Sequence, residues 1–122
     1  TTGGKLDGAK INFSIDTGAT RSVLSKKFTE KNKIKLNDCN VEIKVANNAV
    51  VKAMITEPLK VNIKNNITLL KFLVIDHDDN EALLGLDWFD LTGAHVNPRD
   101  NILIFPDNQK ILCLMFSVLC FL

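Results

Sequence analysis

Ile15-Asp16-Thr17-Gly18-Ala19-Thr20 is the stretch from which the rest of the chain is best read. It closes an alternating run, Lys10 to Asp16 (K-I-N-F-S-I-D), with Ile11, Phe13 and Ile15 on one face and Asn12 and Ser14 on the other. A strand end fixes a carboxylate rigidly. Gly18 lets the backbone turn sharply and brings an amide N–H near that carboxylate. The Thr17 hydroxyl is free to bond to a neighbouring loop. An acid held in this way is placed for chemistry. Three fixed positions recur by chance, however, so the surroundings have to add to the signal.

Downstream comes Ala82-Leu83-Leu84-Gly85-Leu86-Asp87-Trp88. Glu81 to Gly85 reads as a short strand ending in glycine, and Asp87 to Leu91 as one helical turn with Gly93 ending it. Between the two motifs strand signals dominate. Ser22 to Phe28 is a short turn or one helical turn, and Lys31 to Lys35 a basic, solvated connection. Val41, Ile43 and Val45 alternate into Asn47-Asn48, which tolerates the left-handed conformation of a hairpin turn, and Val50 to Ile55 returns. Leu59, Val61 and Ile63 alternate into a second hairpin turn at Asn65-Asn66. Leu69 to Ile75 is a continuous apolar run, as expected of a strand buried on both faces. Ile102 to Phe105 is a last short strand. Short strands separated by turn residues, with no repeat or linker, predict an all-β barrel or sandwich with very little helix.

The 122 residues suffice for one domain. Lys plus Arg number 15 and Asp plus Glu 14, a net charge of +1, so no strong field points to nucleic acid or an acidic membrane surface. The hydrophobic share of 46% excludes a disordered chain. An odd count of 3 cysteines gives no closed disulfide framework, and a reducing, cytoplasmic setting is the simpler expectation. His77 and His95 leave little for a multi-histidine metal site or a serine triad. The first residue is Thr, as in a piece cut from a longer product, and no signal peptide is read ahead of the domain. Ile111 to Leu122 (I-L-C-L-M-F-S-V-L-C-F-L) is apolar except for Ser117, and shorter than the about 20 residues that span a bilayer. A buried or interface segment is expected there; the start of a membrane segment and a read-through tail are the alternatives.

D-T-G-A-T followed by S-V-L-S, a hairpin in the middle and then L-L-G-L-D-W resembles the retropepsin family, the aspartic proteases of retroviruses and gypsy-type retrotransposons. The resemblance covers residues 10–106, expected to be the protease domain, between an N-terminal segment 1–9 and an apolar tail 107–122. It implies a small closed acid-protease barrel with one short helix, acting as a homodimer. It also implies a peptide or polyprotein substrate, no cofactor, no metal and no nucleic acid. By position Asp16 is implied to be catalytic, and Thr17 to lock the two active-site loops together across the dimer axis. Gly18 and Ala19 would line the cleft, and Thr20 would support the loop. The segment Val45, Ala46, Asn47, Asn48, Ala49, Val50 and Val51 matches the family's flap, although its tip lacks the usual glycines. Leu83, Leu84 and Gly85 would shape the cleft wall. The family usually closes its dimer with terminal strands, where the apolar tail stands here.

The requirement for two copies also follows from chemistry. Hydrolysis by paired carboxylates needs one to take a proton from water while the other donates one to the substrate carbonyl. One Asp-Thr-Gly per small chain leaves the second acid to a symmetry mate. The competing function is a domain of the same fold that has lost activity and serves as a dimerisation or binding module, as in ubiquitin-shuttle proteins.

Other candidates read as structure. Asp87 is expected to cap the following turn, and Trp88 to sit in the core. Counting Asp76 as the first position of a calcium loop puts Asp78, Asn80 and Asp87 third, fifth and twelfth. Glu81 then stands where glycine is required and Asp87 where a bidentate Glu is, which argues against calcium. Asn12-Phe13-Ser14 and Asn66-Ile67-Thr68 fit a glycosylation sequon that only a secreted chain would use. Cys39, Cys113 and Cys120 lack zinc spacing and are expected to be small buried hydrophobes.

Overall fold

The structure, a computed structural model, describes residues 2–44, 48–76, 81–112 and 116–117. The chain opens with a hairpin of β1 (Thr2–Leu6) and β2 (Ala9–Asp16). Its turn is Asp7-Gly8, both with positive φ (46° and 86°), a conformation Gly accepts at no cost and Asp tolerates. β3 (Val23–Ser25) leads directly into α1 (Lys26–Lys31). Ser25 caps that helix, its Oγ accepting from the Phe28 amide at 3.2 Å, and Phe28 and Thr29 supply the buried face. The described residues therefore hold two short helices where one was expected.

β4 (Leu36–Lys44) and β5 (Val50–Thr56) form the central hairpin, with a register irregularity between Asp38 and Glu42. Asn48 adopts φ 64°, as expected of the turn. β6 (Leu59–Ile63) and β7 (Asn66–Leu70) form the next hairpin. Its turn falls on Lys64-Asn65 (φ 48° and 68°), one residue earlier than the sequence suggests. The apolar run after it is not one strand. β7 ends at Leu70 and β8 (Leu73–Ile75) begins after a break, because Phe72 is diverted to Thr56. The Phe72 amide donates to Thr56 Oγ1 at 3.0 Å, and the Thr56 amide donates to the Phe72 carbonyl at 2.9 Å.

β9 (Ala82–Leu84) and α2 (Leu86–Thr92) follow, and Gly93 ends α2 in the left-handed conformation (φ 70°), as expected. β10 (His95–Asn97), β11 (Ile102–Ile104) and β12 (Lys110–Leu112) form a separate antiparallel sheet. Of the apolar tail, β13 (Phe116–Ser117) pairs in parallel with Ile15 and Asp16 of β2.

The main sheet runs β4-β5-β8-β3-β9-β2-β1-β6-β7, a path with two ends, so the hydrogen bonds between described residues do not close a barrel. The main core gathers Leu6, Phe13, Ile15, Val61, Phe72 and Trp88 with their neighbours, and a smaller cluster joins Ala19, Val23, Ala53, Leu73 and Leu83. Each large side chain so buried contributes about 1.5–3 kcal/mol relative to exposure. Trp88 is a core residue as expected, set edge-on to Phe89 and Phe105 at ring distances of 5.1 and 5.9 Å. Cys39 is only half-buried, which corrects its reading as a buried hydrophobe, and Cys113 and Cys120 lie outside the described residues. No described helix is long and apolar enough to cross a membrane.

Candidate active site

The sheet order creates the site. β2 and β3 lie on either side of β9, parallel and antiparallel to it respectively. The segment joining β2 to β3, residues 17–22, must therefore cross over the C-terminal end of β9. Gly85 is the residue beneath that crossing. A Cβ at position 85 would lie 2.7 Å from the Ala19 carbonyl oxygen and 2.9 Å from the Arg21 carbonyl carbon and oxygen, so only glycine fits. The two sequence motifs are thus the two halves of one crossing.

Hydrogen bonds fasten it. The Leu86 amide donates to the Ala19 carbonyl at 2.8 Å and the Asp87 amide to the Thr20 carbonyl at 3.3 Å. Ser22 Oγ donates to Asp87 Oδ1 at 2.6 Å and accepts from the Gly85 amide at 3.0 Å. The Ser22 amide donates to Asp87 Oδ2 at 3.0 Å. Asp87 is therefore not the helix cap it was expected to be. Gly85 occupies the cap position, with no side-chain cap bond, and the Asp87 carboxylate is turned towards the crossing loop.

At the other end of the loop, Asp16 Oδ1 accepts from the Gly18 amide at 2.9 Å, and the Asp16 carbonyl accepts from the Ala19 amide at 3.2 Å. The turn after the strand thus brings an amide onto the carboxylate. Asp16 is fully buried in the single chain (0% exposed), and β13 runs beside it, Ser117 opposite Asp16. Thr17 and Thr20 are exposed, Gly18 is half-buried and Ala19 is buried.

Leu83 and Leu84 are both buried, Leu83 in the cluster with Ala19 and Leu84 in the main core. Of the flap segment, Asn48, Ala49 and Val50 are exposed, Val50 at 61%. Val51 belongs to β5, and Val45, Ala46 and Asn47 lie outside the described residues. So do His77 to Asn80 of the tested calcium loop. The described residues hold no cluster of His, Cys, Asp or Glu able to bind a metal. A groove of about 570 Å³ lies between Gly3, Lys5, Lys10, Asn12, Asn62 and Lys64, bordered by none of residues 16–22 or 83–88, so it is not part of this site.

Ser22 is the residue the sequence reading passed over. Its partner is distant in sequence, and its local signal, a serine in a turn after the Asp-Thr-Gly, is unremarkable.

A mostly β chain with Asp-Thr-Gly at a strand end, crossing over a Leu-Leu-Gly strand, is a retropepsin-like aspartic protease domain in its fold. The chain belongs to the family described as "gag-polyprotein putative aspartyl protease", whose model matches residues 2–90. Among solved structures it is similar to the retroviral protease-like domain of Ddi1 from Leishmania major (18% identity, 97% of this chain and 95% of that one, TM-score 0.71). It is also similar to the EIAV protease in complex with the inhibitor HBY-793 (24% identity, 74% and 84%, TM-score 0.64). A third is a retropepsin-like aspartic protease from Rickettsia conorii (24% identity, 78% and 74%, TM-score 0.57). No curated protein matches the chain.

Proposed function

We propose that this chain is one protomer of a homodimeric aspartic endopeptidase whose substrate is a retroelement polyprotein. The observation that carries the proposal is the setting of Asp16: a strand-end carboxylate, bonded to the Gly18 amide, in a loop fastened over Gly85. Asp16 and its symmetry mate form the acid pair. Two carboxylates in contact do not both ionise comfortably, so the pair shares one proton and titrates as a unit. The ionised member takes a proton from water as that water attacks the peptide carbonyl, and the protonated member donates to the carbonyl oxygen. The carboxyl that took the water proton then gives it to the leaving amine nitrogen, the other takes a proton back from the tetrahedral diol as the C–N bond breaks, and no covalent intermediate forms. The exposed Thr17 bridges the two loops, the half-buried Gly18 contacts the substrate backbone while the buried Ala19 packs behind it, and residues 45–51 close over the peptide and exclude water.

A second reading, an inactive dimerisation or binding module of the same fold, is favoured by one observation. Asp16 is fully buried in the single chain, with residues 116–117 paired along its strand. Beside that observation, the likeness in fold over nearly the whole chain to the retroviral protease-like domain of Ddi1 from Leishmania major supports a role other than polyprotein processing.

One experiment separates the two: cleavage of a mixed peptide library across the acid pH range, by the parent chain and by Asp16→Asn. The peptidase reading expects an optimum in the acid range, loss of all turnover in Asp16→Asn, and block of the parent by a statine-type transition-state mimic. Equal cleavage by both chains, or none by either, rejects it.

A further inference from the structure

We propose that Asp87, acting through Ser22, is a positioning residue for Asp16. Ser22 is fully buried, and its hydroxyl makes one bond as donor and one as acceptor. Because its oxygen receives the Gly85 N–H, its single proton is committed to Asp87. Asp87 accepts from the Ser22 hydroxyl and the Trp88 amide (2.8 Å) on Oδ1, and from the Ser22 amide on Oδ2. Both carboxylate oxygens are met by donors, and bonds to a charged acceptor are the stronger kind. The crossing loop is thus pinned at both ends. Near Asp16 it is held by β2 and by the Gly18 and Ala19 amides. At Ser22 it is held by a carboxylate 65 residues away.

Without that second pin, residues 19–21 keep the amides of Leu86 and Asp87 and the packing of Ala19, and Ser22 keeps the Leu73 amide on its carbonyl, but no side-chain bond ties the loop to residues 85–87. The loop then lifts, and the Gly18 N–H shifts relative to the Asp16 carboxylate. Asp87 touches neither the substrate nor the reacting water in this scheme. The kinetic consequence rests on the peptidase reading, whereas the structural consequence does not.

The test uses the full chain with Asp87→Ala, Ser22→Ala and Ser22→Thr. Amide hydrogen exchange at Gly18 and Ala19 should quicken about tenfold or more in both alanine variants, while amides of β6 and β7 keep the parent's rates. kcat should fall about a hundredfold with KM within a few-fold, the size of loss that a displacement of about 1 Å brings. Ser22→Thr, which keeps the hydroxyl, should restore most of kcat. The double variant Ser22→Ala/Asp87→Ala should be no worse than either single one, because both remove the same pin.

Unchanged exchange at Gly18 and Ala19 in both alanine variants overturns the proposal. So does faster exchange spread equally over β6 and β7, which would mark general loss of stability. If Asp87→Ala does not fold, Ser22→Ala and its threonine rescue decide. If the parent shows no Asp16-dependent cleavage, the peptidase reading fails while the exchange result still judges the pin.

Discussion

Gly85 lies directly under the carbonyl of Ala19, with 2.7 Å between that oxygen and the place a Cβ would occupy. The atoms in the way, on Ala19 and Arg21, are all backbone and cannot rotate aside. Gly85→Ala must therefore lift the crossing loop or push β9 away from it. Stability should fall by roughly 1–3 kcal/mol, the usual cost of overpacking, read as a lower urea midpoint. On the peptidase reading Asp16-dependent cleavage is lost as well. A variant with the parent's midpoint and activity would show that the loop tolerates far more room than this contact allows.

Trp88 is 1% exposed and stands edge-on to two phenylalanines, and its indole N–H has no hydrogen-bond partner among the described residues. Its contribution is therefore one of packing. Trp88→Ala should cost about 3–5 kcal/mol in urea unfolding, the range for a large aromatic removed from a core. Trp88→Phe should cost distinctly less, since no hydrogen bond is lost with the N–H. Equal losses in the two variants would mean that the indole nitrogen has a partner in solution.

Much of this architecture was legible because alternation and turn residues are local properties. Val41 to Ile55 reads directly as a hairpin and Gly93 as a helix stop, whereas the strand after Leu59 to Ile63 is expected at Leu69 to Ile75 and in fact returns at Asn66 to Leu70. β1 was missed because Gly3 and Gly4 carry no strand signal, although the Asp7-Gly8 turn beside it is a strong hairpin cue. Gly4 is there because the Asn62 carbonyl of β6 passes 2.6 Å from where its Cβ would be, a contact invisible in sequence. The break at Phe72 depends on Thr56, and the role of Asp87 on Ser22. In each case a long-range hydrogen bond overrides the local pattern. The Asp-Thr-Gly and the Leu-Leu-Gly could be recognised separately, but that one crosses the other follows only from the order β3-β9-β2.

The Lys64-Asn65 turn holds two non-glycine residues at positive φ, of which only Asn tolerates it well. Lys64→Asn with Asn65→Gly installs the pair that such two-residue turns prefer. The Asn62 side chain accepts from the residue 65 amide, which glycine retains. The double variant should gain about 0.5–1 kcal/mol, seen as a higher melting temperature with activity unchanged. A drop in melting temperature would mean that the lysine side chain stabilises the hairpin by more than its backbone strain costs.

Thr17 is exposed although it directly follows a fully buried aspartate, so its hydroxyl is available to a second copy of the loop. On the dimer reading each Thr17 hydroxyl bonds across the two-fold axis, and symmetry makes every substitution count twice. Thr17→Ala should then weaken association by two neutral hydrogen bonds, about 1–3 kcal/mol together, or roughly ten- to a hundredfold in dimer Kd. Sedimentation over a concentration series should show the parent as a dimer where Thr17→Ala is partly monomeric. The specific activity of the variant should climb with protein concentration and approach the parent's at saturation, because only the population of paired acids has changed. Thr17→Ser, which keeps the hydroxyl, should behave as the parent does. Were the parent monomeric at high concentration and still active, the second carboxyl would have to come from within one chain, and the requirement for a symmetry mate would be wrong.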